Sequence, residues 1–214
     1  MYERDPFPME CQSEENGIFI QFPGSMLNVH PSFGRASNRG DFPRRGGYHP
    51  SSIYAGVVIR PQALIYVDSI IRSGTFIGDQ AIVREFTEIG ENCIIGAGSI
   101  IENNCFIGNN VRIMTRVYLC AYSHIENDCF IGPCVVTTND RYMGTGDPER
   151  RRRERKGLRT KQGARLGAGV LTLPGVTVGT GVIIGAGGIV TKDILEPGVY
   201  VETTARLERL REQI

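Results

Sequence analysis

The feature that most constrains this chain is a period of six. From Ile53 onward every sixth residue is a branched aliphatic, through Ile59, Ile65, Ile71, Ile77, Val83, Ile89, Ile95, Ile101, Ile107, Ile113, Leu119 and Ile125 to Ile131, fourteen in succession. Four residues after each stands a smaller one, as in Ala63, Ser69, Thr75, Cys93, Ser99, Cys105 and Cys129. An α-helix repeats at 3.6 residues and a strand at two, so neither holds a period of six. A solenoid does, with short parallel strands joined by tight turns and wound into a column.

In such a column each aliphatic residue points inward and stacks on its counterpart one coil away, which stabilises the fold by roughly 1.5–3 kcal/mol per side chain. The residue just before the small one must turn the chain sharply, which favours side chains that tolerate positive φ. Gly56, Asp68, Gly74, Asn92, Gly98, Asn104, Asn110 and Asp128 occupy that place. The frame resumes at Leu166, Thr172, Val178, Ile184 and Val190, giving nineteen units, or about six coils at three units each.

Outside the column, residues 1–47 carry none of the period and, from Pro31, are rich in Gly, Arg, Ser and Asn, the composition of an irregular arm. Ile18 to Phe22 is a candidate for one added strand. The column is expected over 48–200, with an inserted loop at 137–165. A short amphipathic helix over 201–214, with Leu207, Leu210 and Ile214 on one side, is expected to cap its open end. The six cysteines do not read as a disulfide framework, because Cys93, Cys105 and Cys129 fall in the small slot, where a thiol acts as a compact apolar group. A formal net charge of +1 argues against nucleic-acid binding. No apolar run of membrane length and no leader at Met1 are recognisable, so the expected setting is the cytoplasm without a membrane partner.

The residues with chemistry gather at the break in the period. His124 precedes the inward Ile125, so strand alternation points it outward. It is the one histidine inside the repeat; three convergent imidazoles, as a β-helical zinc site needs, are not present, and no metal is expected. One coil is eighteen residues, so Asn139 stacks over Ala121 and Asp140 over Tyr122, about one strand spacing from His124. Arg116, Tyr122 and Cys134 hold turn positions there without being Gly, Asn or Asp, and local rules tend to fail at functional places. Residues 137–165 contain ten Lys or Arg against four Asp or Glu. The run Arg150 to Lys156 is either a solvated loop or helix, or a site for phosphate groups.

With these motifs in place, the chain resembles the hexapeptide-repeat acyltransferases, whose fold is an all-β, left-handed parallel β-helix. Thr137-Thr138-Asn139-Asp140-Arg141-Tyr142-Met143-Gly144, the basic loop after it and the returning Gly163-Ala164-Arg165-Leu166-Gly167-Ala168 look like the subgroup that acylates amino sugars on nucleotide carriers. The resemblance implies transfer of an acetyl or similar acyl group from acetyl-CoA to an amino or hydroxyl group of a sugar. It places Asn139 and Asp140 near the acceptor, with Tyr122, Arg116 and Arg141 as substrate-binding candidates. It implies a donor bound between subunits of a homotrimer along Gly185-Ala186-Gly187 and Thr191-Lys192. His124 is the candidate general base, since histidine titrates nearest the working range.

A different class of reading is a non-catalytic β-helix, a structural or interaction protein that keeps the column without the chemistry. Its repeat would look the same. The Asn-Asp pair and basic insertion one coil from a histidine favour the enzyme.

Overall fold

A computed structural model describes residues 51–201 together with the antiparallel pair of strands Gln12–Glu14 and Gly17–Phe19. The rest of the expected arm and the expected helix over 201–214, apart from Val201, lie outside the described residues. The chain from Ser52 is a left-handed parallel β-helix of mostly two-residue strands stacked into three flat faces. The first face begins with Ser52–Ile53, the second with Val58–Ile59 and the third with Leu64–Ile65. They hold seven, eight and seven strands, the eighth on the second face being Gly198–Tyr200.

The second residue of each short strand points in. Ile71, Ile77, Ile89, Ile95, Ile101 and Ile107 are completely buried, as the period requires. Besides Thr172, already in the frame, two polar residues hold inward places: Thr137 and Thr160 are as buried as the isoleucines, in the strands Val136–Thr137 and Arg159–Thr160. They lie where the aliphatic count lapses, and with them the nineteen units become twenty-one, which is seven coils. Threonine is isosteric with valine, so the stack continues, and the Thr137 Oγ1 donates to the Tyr118 carbonyl.

Small corner residues bind successive coils together. Thr75 Oγ1 donates to the Gly90 carbonyl at 2.8 Å and accepts from the Cys93 N–H at 3.0 Å. Thr87 and Ser99 repeat the arrangement, with Glu102 and Met114 carbonyls as acceptors. Cys93 and Cys105 donate their thiols to the carbonyls of Gly108 and Cys120. These thiols are unpaired and buried, and burial pushes Cys105 up to about 12, so they are inert packing groups with a directed S–H.

The turn residues adopt the left-handed conformation throughout. Gln62, Gln80 and Phe86 do so as well as Arg116, Tyr122 and Cys134. Residues that break the Gly/Asn/Asp preference are therefore spread along the column, each at a cost of roughly 1–2 kcal/mol, rather than confined to the insertion.

Candidate functional site

Three coils meet at the candidate site. On the first face the outward residues run Glu88, Phe106, His124, Arg159 and Thr177 in direct register. His124 and Phe106 are stacked, ring centroids 4.7 Å apart and planes 19° from parallel. Above His124 stands Arg159, its register partner although 35 residues on, because the insertion leaves the column after Thr137 and returns in time to rejoin the same face. Burial holds the His124 imidazole below its ordinary pKa; Arg159 and Lys161 push the same way and Glu126 opposes them. Glu126 itself is engaged by Lys161 Nζ at 2.8 Å and by the Gln162 N–H at 3.0 Å.

The base of the insertion is pinned against His124. Asn139 Nδ2 donates to the Ala121 carbonyl at 3.2 Å, the eighteen-residue register the period requires, and the Lys156 N–H donates back to the Asn139 carbonyl. Gly157 then passes so close to the coil below that a Cβ there would sit 2.5 Å from Ser123 N, a place only glycine can occupy. Leu158 is buried, and its carbonyl accepts from the His124 N–H at 2.8 Å.

Beyond its base the insertion is held by its own side chains. The Tyr142 N–H donates to Asp140 at 2.9 Å, Gly144 N–H donates to the other oxygen at 3.2 Å, and Arg151 stands 3.6 Å away. The Tyr142 N–H, helped by Gly144, Arg151 and Arg155, keeps the Asp140 carboxyl below the usual carboxylate range. Asp147 caps a helix over Pro148–Glu154 by accepting from Glu149 and Arg150 N–H groups. Arg150 pairs with Glu154 at 2.9 Å and lies over the Tyr142 ring, whose hydroxyl donates to Glu154. The first two arginines of the basic run therefore have partners within the loop.

The residues singled out from the sequence fall on two corners and one face. Tyr122, Asn139 and Asp140 lie where the third face turns into the first, and Thr191 and Lys192 lie on that corner further along the column. Arg116 and Gly185-Ala186-Gly187 lie on the corner between the second and third faces, stacked through Cys134 and Gly169. Within one chain that corner is apart from His124. His124 is half-buried and interacts with Phe106, Arg159, Glu126 and Lys161, whereas Asp140 interacts with its own loop. Arg141 is exposed at the loop's start. Phe106, Arg159 and Gly157 escaped the sequence reading; Phe106 is legible by stepping one coil back from His124. Among the described residues no three His, Cys, Asp or Glu side chains converge as a metal site would need, and no helix is long and apolar enough to cross a membrane.

Comparison with known proteins agrees with this architecture. The family model "Bacterial transferase hexapeptide (six repeats)" matches residues 68–103 and 104–139, and "Hexapeptide repeat of succinyl-transferase" matches 162–192. The chain thus carries hexapeptide repeats over residues 68–139 and 162–192. No curated protein matches the sequence. Among solved structures, GDP-perosamine N-acetyltransferase (PerB) from Caulobacter crescentus, in complex with CoA and GDP-perosamine, is 20% identical over 75% of this chain and 58% of its own, with a TM-score of 0.39. A second structure of that enzyme is covered to 57%, so this chain spans a little over half of either. The polySia-specific acetyltransferase NeuO is 19% identical over 77% of this chain and 88% of its own, TM-score 0.48. A variant of the N-acyltransferase AntD from Bacillus cereus, in complex with dTDP and coenzyme A, is 20% identical over 76% and 84%, TM-score 0.41.

Proposed function

We propose that this protein is an acyltransferase that moves an acetyl or similar group from an acyl-CoA thioester to an amino or hydroxyl group of a sugar, with a nucleotide-linked amino sugar as the first acceptor to try. The observation that carries the reading is His124, an outward, half-buried imidazole biased toward its neutral form, beside which the base of the insertion is pinned. In that role His124 Nε2 or Nδ1 accepts the proton of the attacking amine or hydroxyl, and the thiolate leaves readily because thiols have a pKa of about 8.5. No covalent enzyme intermediate is required. Asn139 fixes the corner and Asp140, as an anion, shapes the loop that would border the acceptor, with Tyr122 and Arg141 as substrate contacts.

The donor segment Gly185-Ala186-Gly187 and Arg116 lie on a different corner from His124, so a complete site needs a neighbouring subunit. The third face supports such packing: its outward residues, including Ile82, Ile100, Tyr118, Val136, Leu171 and Ile189, are all apolar, and Ile189 is 52% exposed. A closed homotrimer with acetyl-CoA between subunits, working in the cytoplasm, is the assembly this reading implies.

One observation favours the non-catalytic alternative: Asp140, Arg150 and Arg151 all have partners within the loop. Thiol release from acetyl-CoA, measured with a panel of nucleotide-linked amino sugars, separates the two. On the enzymatic reading His124→Asn lowers kcat by roughly 10²–10⁴ and leaves donor KM nearly unchanged. Thiol release no faster than the blank with every acceptor would leave the column a scaffold.

A further inference from the structure

A candidate base is usually oriented by a carboxylate, but here the one that acts on His124, Glu126, is already held by Lys161 Nζ and the Gln162 N–H. We propose that Phe106 and Arg159 are the positioning residues for His124, the stacked Phe106 ring fixing the plane of the imidazole from below and the Arg159 cation, in register on the coil above, disfavouring its protonation. The inference rests on the reading of His124 as base and adds residues that reading does not use.

The geometry comes from the register of three consecutive coils. Phe106 and His124 are direct strand partners, and their rings stack at 4.7 Å and 19°, which covers one face of the imidazole and fixes its plane. Arg159 is the direct partner on the other side. Its placement is not accidental to the insertion: Gly157 presses against Ser123, Leu158 receives the His124 N–H, and the next outward residue is Arg159. The backbone is also closed below, where the Phe106 N–H donates to the Ser123 carbonyl at 3.0 Å. The ring therefore has apolar cover below, with Arg159 in register on the coil above.

The charged groups facing the ring are Arg159 and Lys161 on the coil above and Glu126 on its own coil; Phe106 brings none. Glu126 and Lys161 pair with each other, which leaves Arg159 as the net positive group beside the ring. Together with the cover from Phe106 this favours the unprotonated ring, the form that can accept a proton.

The test uses the full chain with 15N-labelled histidine, in which three imidazoles are resolved and His124 is assigned by the signal lost in His124→Asn. Phe106→Leu should remove the ring-current shift from the His124 signals and raise its titration midpoint toward that of an ordinary histidine; Arg159→Gln should raise the midpoint without removing the ring-current shift. Phe106→Tyr and Arg159→Lys should restore each. In acetyl transfer, the acid limb of the kcat profile should move up with the NMR midpoint, and kcat should fall about tenfold in Phe106→Leu at unchanged KM. His124 titration superimposable on that of the unaltered protein in both variants would overturn the positioning role and leave the acyltransferase reading standing. An NMR midpoint that moves while the kcat profile stays put would remove His124 as the base, and the positioning role with it.

Discussion

The column and the insertion are stabilised in opposite ways. In the column almost every partner lies about one coil away: Ile95 pairs with Ile77 and Ile113, Thr75 bonds to Gly90 and Cys93, and Asn109 accepts from Glu91 at a separation of eighteen residues. In the insertion the partners are near in sequence: Asp140 with Tyr142, Gly144 and Arg151, Asp147 with the helix it caps, Arg150 with Glu154. A residue in the column is therefore defined by the coils above and below it, and a residue in the loop by its immediate neighbours. His124 belongs to the first kind and Asp140 to the second. The sharper candidate for chemistry is the group whose surroundings are rigid and repeat-coded, while the loop acid is already occupied with folding its own segment.

The comparison breaks most severely if an inward residue proves dispensable. Ile95→Asp places an unpaired carboxylate between Ile77 and Ile113, a group that must either protonate or drag water into a dry stack. The variant should not yield folded protein, as read by circular dichroism of the purified chain. A cooperative, native-like transition would mean that Ile95 is not inward. A smaller effect comes from the corners. Thr75→Val keeps the shape but leaves the Gly90 carbonyl and Cys93 N–H without their partner, which should cost about 1–3 kcal/mol in a urea titration. No change in the midpoint would show that packing alone joins the coils.

The same contrast explains what the amino-acid sequence reveals and what it hides. A period of six with a fixed inward residue determines strand direction, face and register, so the position of Phe106 under His124 follows from counting eighteen back. Thr137 and Thr160 are obscured because a hydroxyl stands where an aliphatic is expected, although their branched shape fills the same place. Arg159 is hidden for a different reason: the insertion makes its separation from His124 35 rather than eighteen, and no local pattern states how much chain a loop consumes before it rejoins a face. Asn139 keeps the register, as its bond to Ala121 shows, and Asp140 is where the register ends. The exceptional turn residues Arg116 and Tyr122 were weaker guides, since Gln62, Gln80 and Phe86 make the same exception away from the insertion.

The mildest change to global stability, and the one that sharpens the comparison most, is Asp140→Asn. Asparagine keeps a single oxygen where the carboxylate uses two, one for the Tyr142 N–H and one for the Gly144 N–H, and it loses the charge that attracts Arg151. If the insertion is held by its own side chains, the urea midpoint of the column should stay where it is. Amide exchange at Tyr142 and Gly144 should rise several-fold, and tryptic cleavage at Arg141 and Arg150 to Arg153 should accelerate. The outcome for turnover follows from the same picture: a loosened loop should raise acceptor KM while leaving the pH dependence set by His124 in place. A fall in midpoint comparable to that of Thr75→Val would show that the loop and column unfold as one unit, and the contrast between them would be lost. Unchanged exchange with abolished turnover would place Asp140 at the reacting atoms themselves, because the carboxylate would then matter for its charge at the site and not for the loop it holds.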